Sequence, residues 1–354
     1  MCVRLGCNVK NHGCADLETL VIHNENGKGK NPDELKVDLL KYFQKLKIYV
    51  CFVAYEFDMK VKPNFVSSVE ELRLDNSFRY EDKIDFNVKL FPKMFPNLKL
   101  LNAPMKCKQI KNLKYCLKLD QILLREHIDD VHGSKASIPH LLQHHPNAIN
   151  FKHISFSQKL VESELLAIAK YCPNIEHVDL NISESFKTSK LKGIDECFKK
   201  LKHVHIYLDN NGSSKSTDNV KLLNFLLVPA QEIITLNIEI SREAEDENKT
   251  FPFEMYLHEL LNKNPLKELA SLWLNDVNKI FISIKTMKMI SDLPKIEEII
   301  IEGEDGDQSF KREYVDELKS YAASRNYDVI YDIPISDDKN DNDDEAASDY
   351  NDDL

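Results

Sequence analysis

Eleven times along this chain an apolar residue is followed three places later by another and two places after that by a third. The clearest case is Ile175, Val178 and Leu180 in CPNIEHVDL. The others are Leu17/Leu20/Ile22, Phe43/Leu46/Ile48, Val69/Leu72/Leu74, Leu98/Leu101/Ala103, Leu119/Ile122/Leu124, Phe151/Ile154/Phe156, Leu201/Val204/Ile206, Ile233/Leu236/Ile238, Leu269/Leu272/Leu274 and Ile296/Ile299/Ile301. Steps between successive middle residues range from 21 to 36. One triplet is weak evidence, but a recurring period of this size marks units stacked side by side.

The context of the triplets supports the same reading. Several follow a shared phrase in which an aromatic or Cys precedes a polar turn, as in FPNLK (95–99), YCPNIE (171–176), FKKLK (198–202) and LPKIE (293–297). Stretches with helical apolar spacing come before many of them: DELKVDLLKYF (33–43), SELLAIAKY (163–171), NVKLLNFLL (219–227) and EMYLHELL (254–261). Each unit therefore reads as a short strand and a helix. Neither half can bury its apolar face alone, so neighbouring units share a core. The triplet spacing leaves the register open in three places. Leu46 fits the first position as well as the second, and Ala148 and Leu266 fit as alternative starts of their units.

The array, and CPNIEHVDL with its preceding helix most of all, resembles the leucine-rich-repeat superfamily in its long, ribonuclease-inhibitor-like form. It is similar to the repeat arrays of F-box/leucine-rich-repeat proteins. The resemblance implies an α/β solenoid over residues 15–333, a curved horseshoe of about 11 irregular repeats with parallel strands concave and helices convex. Residues 1–14 are an irregular lead-in and 334–354 an acidic tail. The family's Asn or Cys three places after the last apolar position is met only by Cys51. The resemblance also implies a protein partner in the concavity and, by analogy with ubiquitin-ligase substrate receptors, contact with ligase-core subunits. With the first triplet at Leu17, no F-box is expected within the chain.

Alternation along a strand sends the residues beside each middle position to the outer face. On the third unit these are Glu71, Arg73 and Asp75. In later units one outer column holds His153, His177 and His203, the next Asp179, His205, Asn237 and Trp273, and a third Arg125, Asn181, Tyr207 and Asn275. Arg73, Asp75, Arg125, His153, His177, Asp179, His203, His205, Tyr207 and Trp273 are the candidate partner-binding residues. Trp273 is the chain's single tryptophan, a residue type that anchors interfaces. A metal would need converging ring nitrogens and a carboxylate, for which Asp179 is the neighbour. No metal or cofactor is assigned from the sequence.

Composition narrows the function classes. No phosphate-binding loop, GxGxxG, GxSxG or HExxH occurs, so no enzyme activity is expected. The eight cysteines are scattered without a CxxC pair, which fits reduced thiols in a cytoplasmic or nuclear protein. The spacing of Cys2, Cys7, His12 and Cys14 matches no standard zinc site. No run of 18 apolar residues appears, so no membrane span is expected. No basic stripe with interleaved aromatics suggests nucleic-acid binding. Residues 336–354 hold nine acidic residues and one Lys, a net of −8 within the chain's −11. Such a tail is expected to stay unfolded and to suit a basic protein partner.

Overall fold

The computed structural model describes residues 16–22, 40, 43–51, 66–74, 90–105, 107–126, 137–182, 197–209, 216–241, 253–276, 282–303, 312–325 and 329–333. Twelve strands lie among them: β1 (Thr19–Ile22), β2 (Ile48–Cys51), β3 (Glu71–Leu74), β4 (Leu100–Met105), β5 (Gln121–Glu126), β6 (His153–Leu160), β7 (His177–Ile182), β8 (His203–Asp209), β9 (Thr235–Ser241), β10 (Ser271–Asp276), β11 (Glu298–Gly303) and β12 (Ile330–Asp332). They form one open sheet in strict chain order, every pairing parallel. Between the strands from β3 onward, except between β7 and β8, a helix is described: α1 (Phe91–Met94), α2 (Cys107–Ile110), α3 (Ser137–His144), α4 (Glu162–Tyr171), α5 (Ser216–Leu227), α6 (Phe253–Lys263), α7 (Ile284–Ser291) and α8 (Arg312–Ser324). Parallel neighbours demand such crossovers, because a tight turn cannot return the chain to the same end of the sheet. An α/β array with a sequentially ordered parallel sheet fits the expected solenoid.

The triplets set the register. Leu20, Tyr49, Leu72, Leu101, Ile122, Ile154, Val178, Val204, Leu236, Leu272, Ile299 and Tyr331 stand opposite one another strand by strand. The first eleven are at most 2 % exposed. The second unit corrects the sequence reading. Its register triplet is Leu46/Tyr49/Cys51, the alternative with Leu46 in first position, not Phe43/Leu46/Ile48, because Tyr49 pairs with Leu20 and Leu72. Phe43 is buried in the turn before the strand, where Leu46 N–H bonds its carbonyl. Cys51 then stands opposite Ile22 and Leu74, at the third apolar position, so the one apparent match to the family's Asn/Cys position is lost. The units of Phe151 and Leu269 keep the register first assigned. The sequence reading missed β12, since Asp328 stands three places before Tyr331 where the other units carry an apolar residue.

A repeated backbone device ties each unit to the next. In most units the residue two places before the middle position lends its carbonyl to two successive N–H groups of the following unit, while Asp120 O and Glu297 O accept from Lys152 and Ile330. Glu18 O accepts from Lys47 and Ile48 at 2.8 and 3.0 Å, Lys152 O from Glu176 and His177 at 2.9 and 2.8 Å, and Ala270 O from Glu297 and Glu298 at 2.8 and 3.1 Å. These same lead-in residues alternate in charge through eight units: Glu18, Lys47, Glu70, Lys99, Asp120, Lys152, Glu176 and Lys202. Lys47 reaches Glu18 at 3.1 Å, Lys99 reaches Glu70 at 2.6 Å, and Glu176 meets Lys202 at 3.0 Å and Lys152 at 3.8 Å. Exposed pairs contribute only about 0–1 kcal/mol each. Their alternation nonetheless opposes any pairing that skips a unit, which would set like charges side by side. The pattern stops at Ile234 and Ala270.

The inward faces of the strands meet apolar helix stripes in one continuous core running from Leu20 to Ile333. Leu165, Ile168 and Ala169 of α4, Leu222, Leu223, Leu226 and Leu227 of α5, and Val315, Leu318 and Ala322 of α8 recur at three- and four-residue spacing. Buried polar groups on this side close units together. Asn264 donates to Leu227 O and Ala230 O at 2.7 and 2.8 Å and accepts from Leu266 N–H. His145 lies 3.2 Å from Cys116 O through Nε2, and its Nδ1 accepts from Asn147 N–H. Burial depresses the His145 pKa and raises the Cys116 thiol to about 12, so that thiol is inert. No helix among the described residues is long and apolar enough to cross a membrane.

Inward and outward positions should therefore respond oppositely to truncation. Leu236→Ala is expected to cost about 2–5 kcal/mol of unfolding free energy. Ser155→Ala, on the outer face, should change it by no more than about 0.5 kcal/mol. Urea denaturation followed by circular dichroism measures both.

Candidate functional site

The register carries the outer columns across neighbouring strands intact. His153, His177, His203, Thr235, Ser271 and Glu298 are successive partners from β6 to β11. The next column runs Ser155, Asp179, His205, Asn237, Trp273 and Ile300, and the third runs Asn181, Tyr207, Glu239, Asn275 and Glu302 from β7 onward. On β7 burial alternates along the strand, with His177, Asp179 and Asn181 half-buried between buried Val178, Leu180 and Ile182. Strand spacing of about 4.8 Å then brings the side chains of each column into contact.

Contact is close at the histidines. The His153 and His177 rings stack with centroids 3.8 Å apart and planes within 4°. The His203 ring lies 5.3 Å from that of His177, tilted by 46°, and its Nδ1 is 2.9 Å from Thr235 Oγ1. Three rings surround one carboxylate. Asp179 lies 3.7 Å from His153 Nε2, 3.8 Å from His177 Nε2 and 3.5 Å from His205 Nδ1. The other nitrogen of His205 faces Glu239 at 3.7 Å. Ser271 Oγ donates to Glu298 at 3.1 Å.

Charge and burial pull these groups apart. Burial would raise the Asp179 carboxyl, but the His153 and His205 rings beside it, and the positive charge that His177 and His205 can carry, hold it far below the ordinary range. Burial lowers His177 to about 4, helped by the neighbouring imidazoles and opposed by Asp179. His205 moves the other way. Its contact with Asp179 and the charges of Asp179 and Glu239 raise its pKa against the effect of burial. The face therefore holds one imidazole that resists protonation beside one that favours it.

A cavity of about 270 Å³ opens on the same face, lined by His177, His203, His205, Asn237, Ser271 and Trp273 among others. Trp273 stands opposite Asn237 and Ile300, between buried Leu272 and Leu274. Its indole faces outward as expected from the sequence and is half-buried. Trp273 Nε1 and Asn237 Oδ1 have no hydrogen-bond partner among the described residues.

Of the residues singled out from the sequence, His153, His177, Asp179, His203, His205, Tyr207 and Trp273 come together on β6–β10. Arg73 does not join them. It lies on β3, opposite Val50 and Asn102, and pairs with Glu71 at 3.2 Å. Arg125 is on β5 opposite Pro104, one place beyond Leu124–Phe156, where the pairing of β5 with β6 ends. Asp75, the cysteines and histidine of residues 2–14, the insert 242–250 and the tail 336–354 lie outside the described residues. Sequence reasoning missed Glu239. It shares a column with Tyr207, one strand over and diagonal to His205, and only the strand pairing reveals that diagonal. No family model and no curated protein matches this chain.

The opposed titrations are measurable. In a long-range ¹H–¹⁵N NMR titration of the chelator-treated protein, His177 should stay neutral down to about pH 4, while His205 should protonate above the free-imidazole value of about 6.5. The depressed His177 makes folding less favourable as pH falls below about 6.5. The raised His205 favours folding in acid and loses that contribution as pH rises through its folded-state pKa. Parallel titration of both rings near pH 6.5 would contradict the geometry.

Proposed function

We propose that this chain is a non-enzymatic protein–protein interaction module of the leucine-rich-repeat type, similar to the substrate-recognition arrays of F-box/leucine-rich-repeat ubiquitin-ligase receptors. The partner is a protein held against the outer face of β6–β10. One observation carries this reading. Polar and aromatic side chains from five successive strands stand in register on one face, beside a cavity bordered by the chain's only tryptophan. A wall of this kind offers a partner an aromatic anchor ringed by hydrogen-bonding and titratable groups, the composition of an interface centre.

A second reading rests on a different observation, the net charge of −8 over residues 336–354. In that reading the array is a nuclear scaffold or chaperone whose tail attracts a basic protein. An adaptor or inhibitor gripping a single enzyme would use the strand face in the same way as the first.

Affinity capture with the whole chain, followed by mass spectrometry, separates these readings. A partner bound through the strand face should lose about 30-fold in affinity with Trp273→Ala, the effect of an anchor worth about 2 kcal/mol. It should be retained by Met255→Ala, at an exposed position on α6. Ligase-core subunits in the captured set support the receptor-like reading. Capture of histone-like proteins that ends when residues 336–354 are deleted supports the scaffold. A partner lost equally with both substitutions, or with neither, contradicts binding through this face.

A further inference from the structure

We propose that His153, His177 and Asp179 form a binding site for a divalent transition-metal ion of zinc's class. One ligand atom from each, two ring nitrogens and a carboxylate oxygen, lies within 4.8 Å of the other two. The three residues come from adjacent strands. His153 and His177 are register partners on β6 and β7, and Asp179 is two places along β7, on the same face. The sheet itself therefore fixes their spacing.

The distances favour an ion over direct bonding. Asp179 lies 3.7 Å from His153 Nε2 and 3.8 Å from His177 Nε2, both beyond hydrogen-bond range. His153 Nε2 is shielded from solvent and has no hydrogen-bond partner among the described residues. A buried polar atom left in that condition is costly. Ligands about 2.1 Å from a tetrahedral ion stand roughly 3.4 Å apart; His153 faces Asp179 Oδ2 and His177 faces Oδ1, and the three ligand atoms, within 4.8 Å of one another, must draw together around the ion. His205 Nδ1 stands 3.5 Å from Asp179 Oδ1, the oxygen that also faces His177, and would help orient the carboxylate as groups around metal ligands do.

The stacked rings set a condition. An imidazole lone pair lies in its ring plane, and planes parallel within 4° with centroids 3.8 Å apart do not meet at one ion. Binding must turn at least one ring out of the stack. That rotation is inexpensive, because histidine's second torsion has broad minima. Two imidazoles with one carboxylate suit Zn²⁺, Co²⁺, Ni²⁺ or Cu²⁺ and offer too few oxygens for Ca²⁺ or Mg²⁺. Three protein ligands also leave a coordination position open.

The test uses the chelator-treated whole chain without any partner, so its outcome is independent of the binding role proposed above. Titration with Co²⁺ followed by visible absorption, and with Zn²⁺ by calorimetry, should show a saturable site. His177→Ala and Asp179→Asn should each weaken it at least 10-fold, and Met255→Ala, at an exposed position on α6, should leave it unchanged. NMR should show the His153 and His177 ring signals shifting together as the stack opens. If Asp179→Asn fails to fold, His177→Gln carries the same comparison. Absence of saturable binding, or binding unaffected by these substitutions, as a site at Cys2, Cys7, His12 and Cys14 would give, overturns the proposal.

Discussion

Everything in this structure depends on the alignment of one buried residue per unit. The middle apolar residue of each triplet stands opposite its counterparts on both neighbours, and the strand and helix faces it joins cannot be buried within a single unit. Stability thus comes from interfaces between units. A parallel sheet with its partners fixed this way transmits the outer positions as well: once Val178 faces Val204, His177 must face His203 and Asp179 must face His205. The candidate site is a consequence of core packing, read on the opposite face.

The lead-in positions add selectivity to this packing. Alternating Glu, Lys and Asp residues from Glu18 to Lys202 place opposite charges in neighbouring units, and in most units the carbonyl at the same position serves two N–H groups of the next. The ion pairs are exposed and individually weak, so their role is to favour the correct neighbour. The pattern ends after the histidine-bearing strands, where Ile234 and Ala270 take over. Beyond that point order rests on the core and on polar links such as Asn264 to Leu227 and Ala230.

Much of this was legible in the sequence, for a physical reason. The three-then-two spacing of apolar residues is the projection of a turn followed by an alternating strand, so ten of the eleven triplets gave the right register. Phe43 defeated the eleventh. A buried aromatic in the turn mimics a first strand position, and only the pairing of Tyr49 with Leu20 and Leu72 resolves the ambiguity. The histidine column was visible for the same reason as the core. The convergence of His153, His177 and His205 on Asp179, and the approach of Glu239 to His205, were not, because side-chain directions and diagonal neighbours across strands leave no periodic trace. Arg73 shows the converse error: it points outward in the right column but sits three strands from the cluster.

The central claim is that the strands stack in chain order, one step of about 4.8 Å per unit. Pulsed electron-resonance distances between genetically encoded spin labels test it directly. With one label at Arg73 on β3 and the second at Ser155, Asn237 or Ile300, the strand positions are three, six and eight steps away. Backbone separations should then rise to about 14, 29 and 38 Å at that spacing, before any curvature shortens them. Distances that fail to increase in that order would contradict the stacked array and, with it, the shared outer face.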